Sequence, residues 1–300
     1  MSQTLPNGLI SFGPKANCTL DLCPVEWSVF QYRPSLAANG AFIGLFFVVG
    51  VLHAVLGFRW KTWFFGWSMI LGSIMEIVGY VGRILLHENP FSFVAFMMQI
   101  ICVTCAPVFY CAGIYVTIAQ TVMTLNPKLS RFNPKLYYWG FIICDLISLV
   151  LQATGGALST KSSGDDSFAN DIALAGLSFQ VFTLVLCCSL LADYLTRYFY
   201  STRFGSVNNR LKIFLCFLGL SILLILARCA YRVMELSEGY SGDLIHDETL
   251  FIALEGVLVV CAVFALCIGH PGLGLKELVE KNVVKMVSLD DQPNITRNVV

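Results

Sequence analysis

Glu76, Tyr80 and Arg83 sit at intervals of four and seven residues inside GSIMEIVGYVGRIL (72–85), a stretch otherwise apolar enough to cross a bilayer. That spacing puts an acid, a phenol and a guanidinium on one face of a helix. The device recurs further on. Arg228, Arg232 and Glu235 keep the same intervals beside Tyr231, Glu255 stands alone in a later apolar run, and Gln99, Asp145 and Gln152 complete the polar set. The chemistry open to such a set is binding. Carboxylates accept hydrogen bonds from an ammonium, and guanidiniums fork onto phosphate or carboxylate. Acids and arginines at one depth can neutralise one another, then exchange partners with a zwitterionic or cationic headgroup. A charge at mid-bilayer costs ~3 kcal/mol or more on insertion scales, so each one marks a candidate site. The bland alternative is that Glu–Arg pairs lock helix register.

These residues must be positioned by membrane-spanning helices. The 300 residues are 57% hydrophobic and 13% charged, with a mean hydropathy of +0.73, whereas a soluble domain carries ~25% charged residues. Net charge is zero, so no basic field points to nucleic acid. Seven runs approach the ~20 residues that a bilayer needs: Leu36–Gly57, Trp63–Leu86, Phe91–Pro127, Lys135–Leu158, Ile172–Ala192, Leu211–Met234 and Leu250–Gly269. Lipid cannot satisfy an open backbone, so each is expected to be helical. The fold class is all-α and polytopic, with the domain organisation 1–33 tail, 34–271 seven-helix membrane domain and 272–300 second tail.

Lys and Arg in the connections set the orientation. With the N-terminus outside, thirteen of them fall on the cytoplasmic side and Lys15, Arg33 and Lys161 outside; the remaining three, Arg83, Arg228 and Arg232, lie within spans. The N-terminus is therefore expected outside and the C-terminus in the cytoplasm. No continuous apolar core precedes the first span, so that span is expected to carry the tail across. The outer tail holds a sequon at Asn17-Cys18-Thr19, placing Asn17 where glycosylation is possible, and Cys18 and Cys23 are positioned for a small disulfide loop. A second sequon at Asn294 lies on the cytoplasmic side and is expected to stay unmodified. After Pro271 and Gly272, Leu275, Leu278, Val279 and Met286 alternate with charges as in a short interfacial helix.

Depth bookkeeping gathers the polar residues in the outer half of the bundle. Arg83 lies ~10 Å above Glu76, and Glu255 ~10 Å in from Glu248, at 1.5 Å per helical residue. Gln99 comes from the outer third of the third span, where Pro107 predicts a kink. This set (Glu76, Tyr80, Arg83, Gln99, Arg228, Arg232 and Glu255) reads as a cavity for a substrate headgroup, with Asp145 and Gln152 as a secondary polar site. His53 and His270 fall at inner helix ends.

Several chemistries are excluded. No Gly-rich phosphate loop is present for a transport ATPase. The four histidines divide two and two between the membrane faces, so a three-ligand zinc centre is not expected, and no cofactor is implied. A G-protein-coupled receptor shares seven helices and an outer N-terminus, yet the third span ends TIAQTVMTLN and the seventh ALCIGHPG, without the usual triplet or Asn-Pro-x-x-Tyr.

From about Tyr32 to Gly272 the chain resembles the RTA-like, or lipid-translocating exporter, family of fungal seven-helix membrane proteins. The resemblance rests on EIVGYVGR (Glu76, Gly79, Tyr80, Arg83), AP and AGIY (Ala106, Pro107, Tyr115), D…QATGG (Asp145, Gln152, Gly155, Gly156), RCAYRVMELSEG (Arg228, Tyr231, Arg232, Glu235, Gly239) and the closing HPG. Phe251 stands where Tyr is expected ahead of the span-seven acid, and Gln120 where a basic residue is common. The resemblance implies a non-enzymatic protein that exports amphiphilic lipids, sphingoid-base-like or phospholipid, and confers resistance to membrane-active toxicants; without a phosphate-cradling loop, ATP-independent transport is the expectation. It also implies a plasma membrane or other endomembrane location, and membrane lipids as partners. The competing class is a seven-helix lipid- or stress-sensing receptor without transport.

Overall fold

The computed structural model describes residues 9–14, 16–161, 167–202, 208–238 and 243–275. The chain is all-α, and seven helices are long and apolar enough to cross a membrane. They are α1 (Leu36–Trp60), α2 (Trp63–Glu88), α3 (Phe93–Leu125), α4 (Pro134–Lys161), α5 (Ser167–Thr202), α6 (Asn209–Glu238) and α7 (Glu248–Leu275). The starts of α1, α3 and α7 are capped by a side chain, whereas Thr62 at the start of α2 makes no capping bond. The Ser35 and Ser92 hydroxyls accept from the amides of Ala38 and Ala95, and the Asp247 carboxylate accepts from those of Thr249 and Leu250.

Neighbours in sequence are neighbours in space. Each helix packs on the next, α7 returns to pack on α1, and α3 meets α6 across the middle. The end of the bundle where α1 begins is called the N side below. A core of Tyr110, Ile114 and Ile118 from α3, Phe214, Leu218 and Ile222 from α6 and Val259, Val263 and Leu266 from α7 fills the centre. Phe47, Val55, Phe58, Val150, Phe182 and Leu223 are exposed around the outside. For a helix in lipid that pattern carries no penalty, because lipid is as apolar as the side chains it meets. The chain is an integral membrane protein.

Without a hydrophobic drive between helices, close approach depends on small residues. A Cβ on Gly82 of α2 would stand 3.0 Å from the Ala95 carbonyl of α3, and one on Gly155 of α4 would stand 2.6 Å from the Ala169 carbonyl of α5. Glycine is the residue those two crossings accept.

Three features differ from the sequence reading. The helices outrun the apolar runs: α5 continues to Thr202, ten residues past the expected run Ile172–Ala192. In α7, residues Phe251–Val257 form a π-helical stretch, and past Gly269 a further helical turn covers 271–275. The expected amphipathic piece beyond Leu275, with the Asn294 sequon, lies outside the described residues. Tail residues 9–14 and 16–35 fold over the N side. Phe30 and Tyr32 pack with Leu86, Ala95, Phe96 and Ile245, and Cys18 and Cys23 form a disulfide against Phe91.

Candidate functional site

Glu76 comes from the middle of α2, where its side chain is 1% exposed. Neither carboxylate oxygen has a hydrogen-bond partner among the described residues, although the charges of Arg228 and Glu255 lie within electrostatic range. One turn on, the Tyr80 ring stacks on Phe42 at 5.0 Å and Phe46 at 5.8 Å, and its hydroxyl is likewise buried and unpartnered. This α2 face therefore carries hydrogen-bonding capacity that the fold leaves unused.

Arg228 of α6 joins two helix irregularities. Its Nη2 pairs with Glu255 Oε1, which the π-helical stretch of α7 turns inward, and donates to the Val103 carbonyl at 2.8 Å. That carbonyl is free for a simple reason. Pro107 has no amide hydrogen to return to the residue four earlier. The hydrogen bond missing at Pro107 thus leaves an acceptor for a buried guanidinium, which offsets part of the desolvation cost of burying a pair.

Arg83 sits one level nearer the N side with a different set of partners. Its Nε donates to Asn39 Oδ1 at 3.1 Å and its Nη2 to the Tyr32 hydroxyl at 3.1 Å. Glu248 Oε1 lies 3.7 Å away, and the guanidinium carbon stands 3.8 Å over the Phe251 ring, close enough for a cation–π contribution. Burial holds the Tyr32 phenol above its ordinary value of 10.0, with the Arg83 charge pulling the other way. Asn39, Tyr32, Glu248 and Phe251 are partners that the spacing argument missed. Asn39 had a signal, as a lone amide early in a charge-free span. For the others the signal is tertiary.

Arg232, within electrostatic range of Arg228, holds Glu235 at 2.5 Å one turn along α6. It reaches a cavity of about 370 Å³ between α3, α4, α5 and α6, whose wall also includes Gln152. The structure therefore groups Arg232 with Gln152, which the sequence reading assigned to a secondary site. Gln152 donates through Nε2 to Ser148 at 2.8 Å and Gln180 at 3.0 Å. Asp145 belongs elsewhere and accepts from Tyr115 at 3.0 Å and Thr183 at 3.3 Å. Gln99 is 3% exposed with its Oε1 unpartnered.

The set expected to line one cavity is thus resolved into a sealed centre (Glu76, Tyr80, Arg228, Glu255), an N-side pin (Arg83) and a cavity-lining Arg232 paired with Glu235. Toward the other end, His53 Nε2 contacts the Val263 carbonyl at 3.1 Å and Cys267 Sγ at 3.4 Å, and His270 Nε2 the Thr62 hydroxyl at 3.3 Å. Among the described residues no His, Cys, Asp and Glu cluster could hold a metal ion.

Known proteins place this arrangement. The profile of the RTA1 like protein family matches residues 69–277. The chain is 30% identical over 280 residues to the sphingoid long-chain base transporter RSB1 of Saccharomyces cerevisiae (strain ATCC 204508 / S288c), covering 81% of this chain and 73% of the relative. It is 24% identical over 292 residues to Protein RTM1 of the same species (81% and 92% covered), and 26% identical over 203 residues to its Protoporphyrin uptake protein 1 (66% of each). No solved structure matches. The family profile spans α2 through α7 and includes the buried acids and arginines of all three groups, so the chain belongs to the RTA1-like family.

Proposed function

We propose that this protein is a nucleotide-independent carrier of amphiphilic lipids, sphingoid-base-like or phospholipid, that moves them across the plasma membrane and so protects the cell from membrane-active toxicants. One observation carries the reading. Glu76 holds both carboxylate oxygens unpartnered at mid-membrane, beside an arginine whose charge is already matched by Glu255. A register lock has no use for a second acid there. A carrier does, since an ammonium headgroup arriving beside Glu76 and Glu255 finds acceptors without having to break the Arg228 pair first. The name of the RSB1 relative supports the same class of cargo.

Reconstitution tests this. The purified protein in liposomes is expected to move a labelled sphingoid base between leaflets without nucleotide, read by quenching from the outer face. Protein-free liposomes supply the background rate. A rate no higher than background, with binding retained, would overturn the carrier reading and leave a lipid-sensing receptor in its place.

A further inference from the structure

The cavity that Arg232 reaches is separate from the sealed centre, and its position and wall suggest an occupant. Its α3 lining runs from Phe93 to Cys105, twelve residues or ~18 Å of helix, a little over half of a ~30 Å hydrocarbon core. All the lining residues come from the N-side portions of α3, α4, α5 and α6, so the cavity starts at the N-side interface and ends near the midplane. Ile101, Ala153 and Ala157 on its rim are exposed on the lipid-facing surface, which makes lateral entry from the bilayer the open route. At about 370 Å³ it lies at the small end of the ~300–1,000 Å³ range of ligand pockets, room for one alkyl chain and a compact headgroup and not for a two-chain phospholipid.

The wall is apolar except at a few points. Arg232 brings its ion pair with Glu235, and Gln152 stands on the α4 side. Thr104 is the second observation. In this protein Ser73, Thr117, Thr121, Thr154, Ser189 and Thr196 each donate to the carbonyl four residues earlier, the usual resort of a hydroxyl inside a helix. Thr104 does not. Its buried hydroxyl has no partner among the described residues, and a χ1 rotation exchanges hydroxyl and methyl at the cavity wall. Gly156, also on the wall, has nothing within 4 Å of where a Cβ would stand.

We propose that this cavity is the loading pocket for a single-chain amphiphile with a hydroxylated, charged headgroup, taken up sideways from the N-side leaflet. The headgroup charge lies at the Arg232–Glu235 pair, a hydroxyl bonds Thr104, and the chain leaves over the exposed rim at Ile101 toward lipid. This deepens the carrier reading, since it names where cargo first binds, and it rests on that reading for the idea that amphiphiles are handled at all.

The test uses purified full-length protein in nanodiscs, with sphinganine carrying a diazirine on its chain as the probe and peptide mapping of the adducts. Labelling is expected on 97–105 and 149–157. Gly156→Leu fills the space and is expected to cut labelling about tenfold or more, since a packed site resists extra volume, whereas Gly44→Leu, at another glycine with open space around it, leaves labelling unchanged. Thr104→Val is expected to weaken labelling about fivefold, the weight of one neutral hydrogen bond. Adducts concentrated around Glu76 and Glu255, or labelling indifferent to Gly156→Leu, would overturn the pocket. So would equal labelling by a two-chain phosphatidylcholine diazirine. The outcomes separate the two claims: leaflet transfer with labelling elsewhere removes the pocket and keeps the carrier, and labelling here without transfer does the reverse.

Discussion

Replacing Glu76 by Gln keeps its shape and removes its capacity to ionise, and neither oxygen has a hydrogen bond to lose. Glu76→Gln is therefore expected to match the wild type in detergent-solubilised yield and in thermal unfolding while losing leaflet transfer in liposomes. Glu255→Gln should behave differently, because it leaves the Arg228 guanidinium, 1% exposed, without its counter-charge. Breaking such a pair from one side costs ~3–5 kcal/mol, so a marked fall in unfolding temperature is expected. Equal stability of the two variants would show that the pair contributes nothing to the fold. Asn39→Ala strands the Arg83 Nε, at a cost of ~1–3 kcal/mol, and the same unfolding measurement checks it. The charged members of these groups were legible in the sequence because a Glu or Arg in an apolar run is conspicuous. Their partners were not. The Val103 carbonyl, Asn39 and the Phe251 face carry no charge, and only the packed bundle brings them to the guanidiniums.

At the scale of elements, Pro107 and Arg228 act together. Pro107→Ala supplies an amide hydrogen that competes with Arg228 for the Val103 carbonyl. Helix continuity favours the amide, since an interior Pro costs a helix ~3 kcal/mol. The expected outcome is a higher unfolding temperature with slower transfer, the signature of a proline kept for function and not for stability. Gly155 and Gly156 make a second pair of opposites: Gly155→Leu meets the Ala169 carbonyl and the Ala173 amide of α5 and should lower folded yield, whereas its neighbour should not. The seven spans were readable because bilayer thickness fixes the length of an apolar run. Their ends were not, since the helices continue into polar sequence where water satisfies the last turns. The π-helical stretch of α7 has no compositional signature, as an i→i+5 ladder uses the same side chains as an α-helix.

For the whole molecule, orientation remains an expectation that the Lys and Arg distribution carries. Asn17 is exposed, and its Oδ1 accepts from the Ile10 amide at 2.7 Å. Glycosidase-sensitive mobility is expected in cells, lost in Asn17→Gln and retained in Asn294→Gln; the opposite result would invert the orientation and put the cavity in the cytoplasmic leaflet. The tail does more than display a sequon. Arg33 donates to the His87 carbonyl at 3.1 and 2.9 Å, His87 Nδ1 contacts the Pro34 carbonyl at 2.7 Å, and the Ser35 amide donates to Glu248 at 2.6 Å. These contacts close the N-side ends of α1, α2 and α7 over Arg83, so deleting residues 9–32 is expected to expose that arginine to water and lower the unfolding temperature.

The wide turn in α7 makes this the one span in which a lost residue need not be ruinous. In a regular helix, deleting a residue rotates everything beyond it by roughly 100°, one part in 3.6 of a turn, and turns a buried stripe out to lipid. The i→i+5 stretch Phe251–Val257 already holds more chain per turn than its flanks need. Removing the exposed Ala253 would let it relax to an ordinary helix with Glu248 and Leu258–Ile268 still in phase. A scan of single-codon deletions, scored by folded yield, should find tolerance here and collapse in the middle of α3 or α6. The tolerated deletion should still abolish transfer, because Phe251 and Glu255 would no longer both point inward.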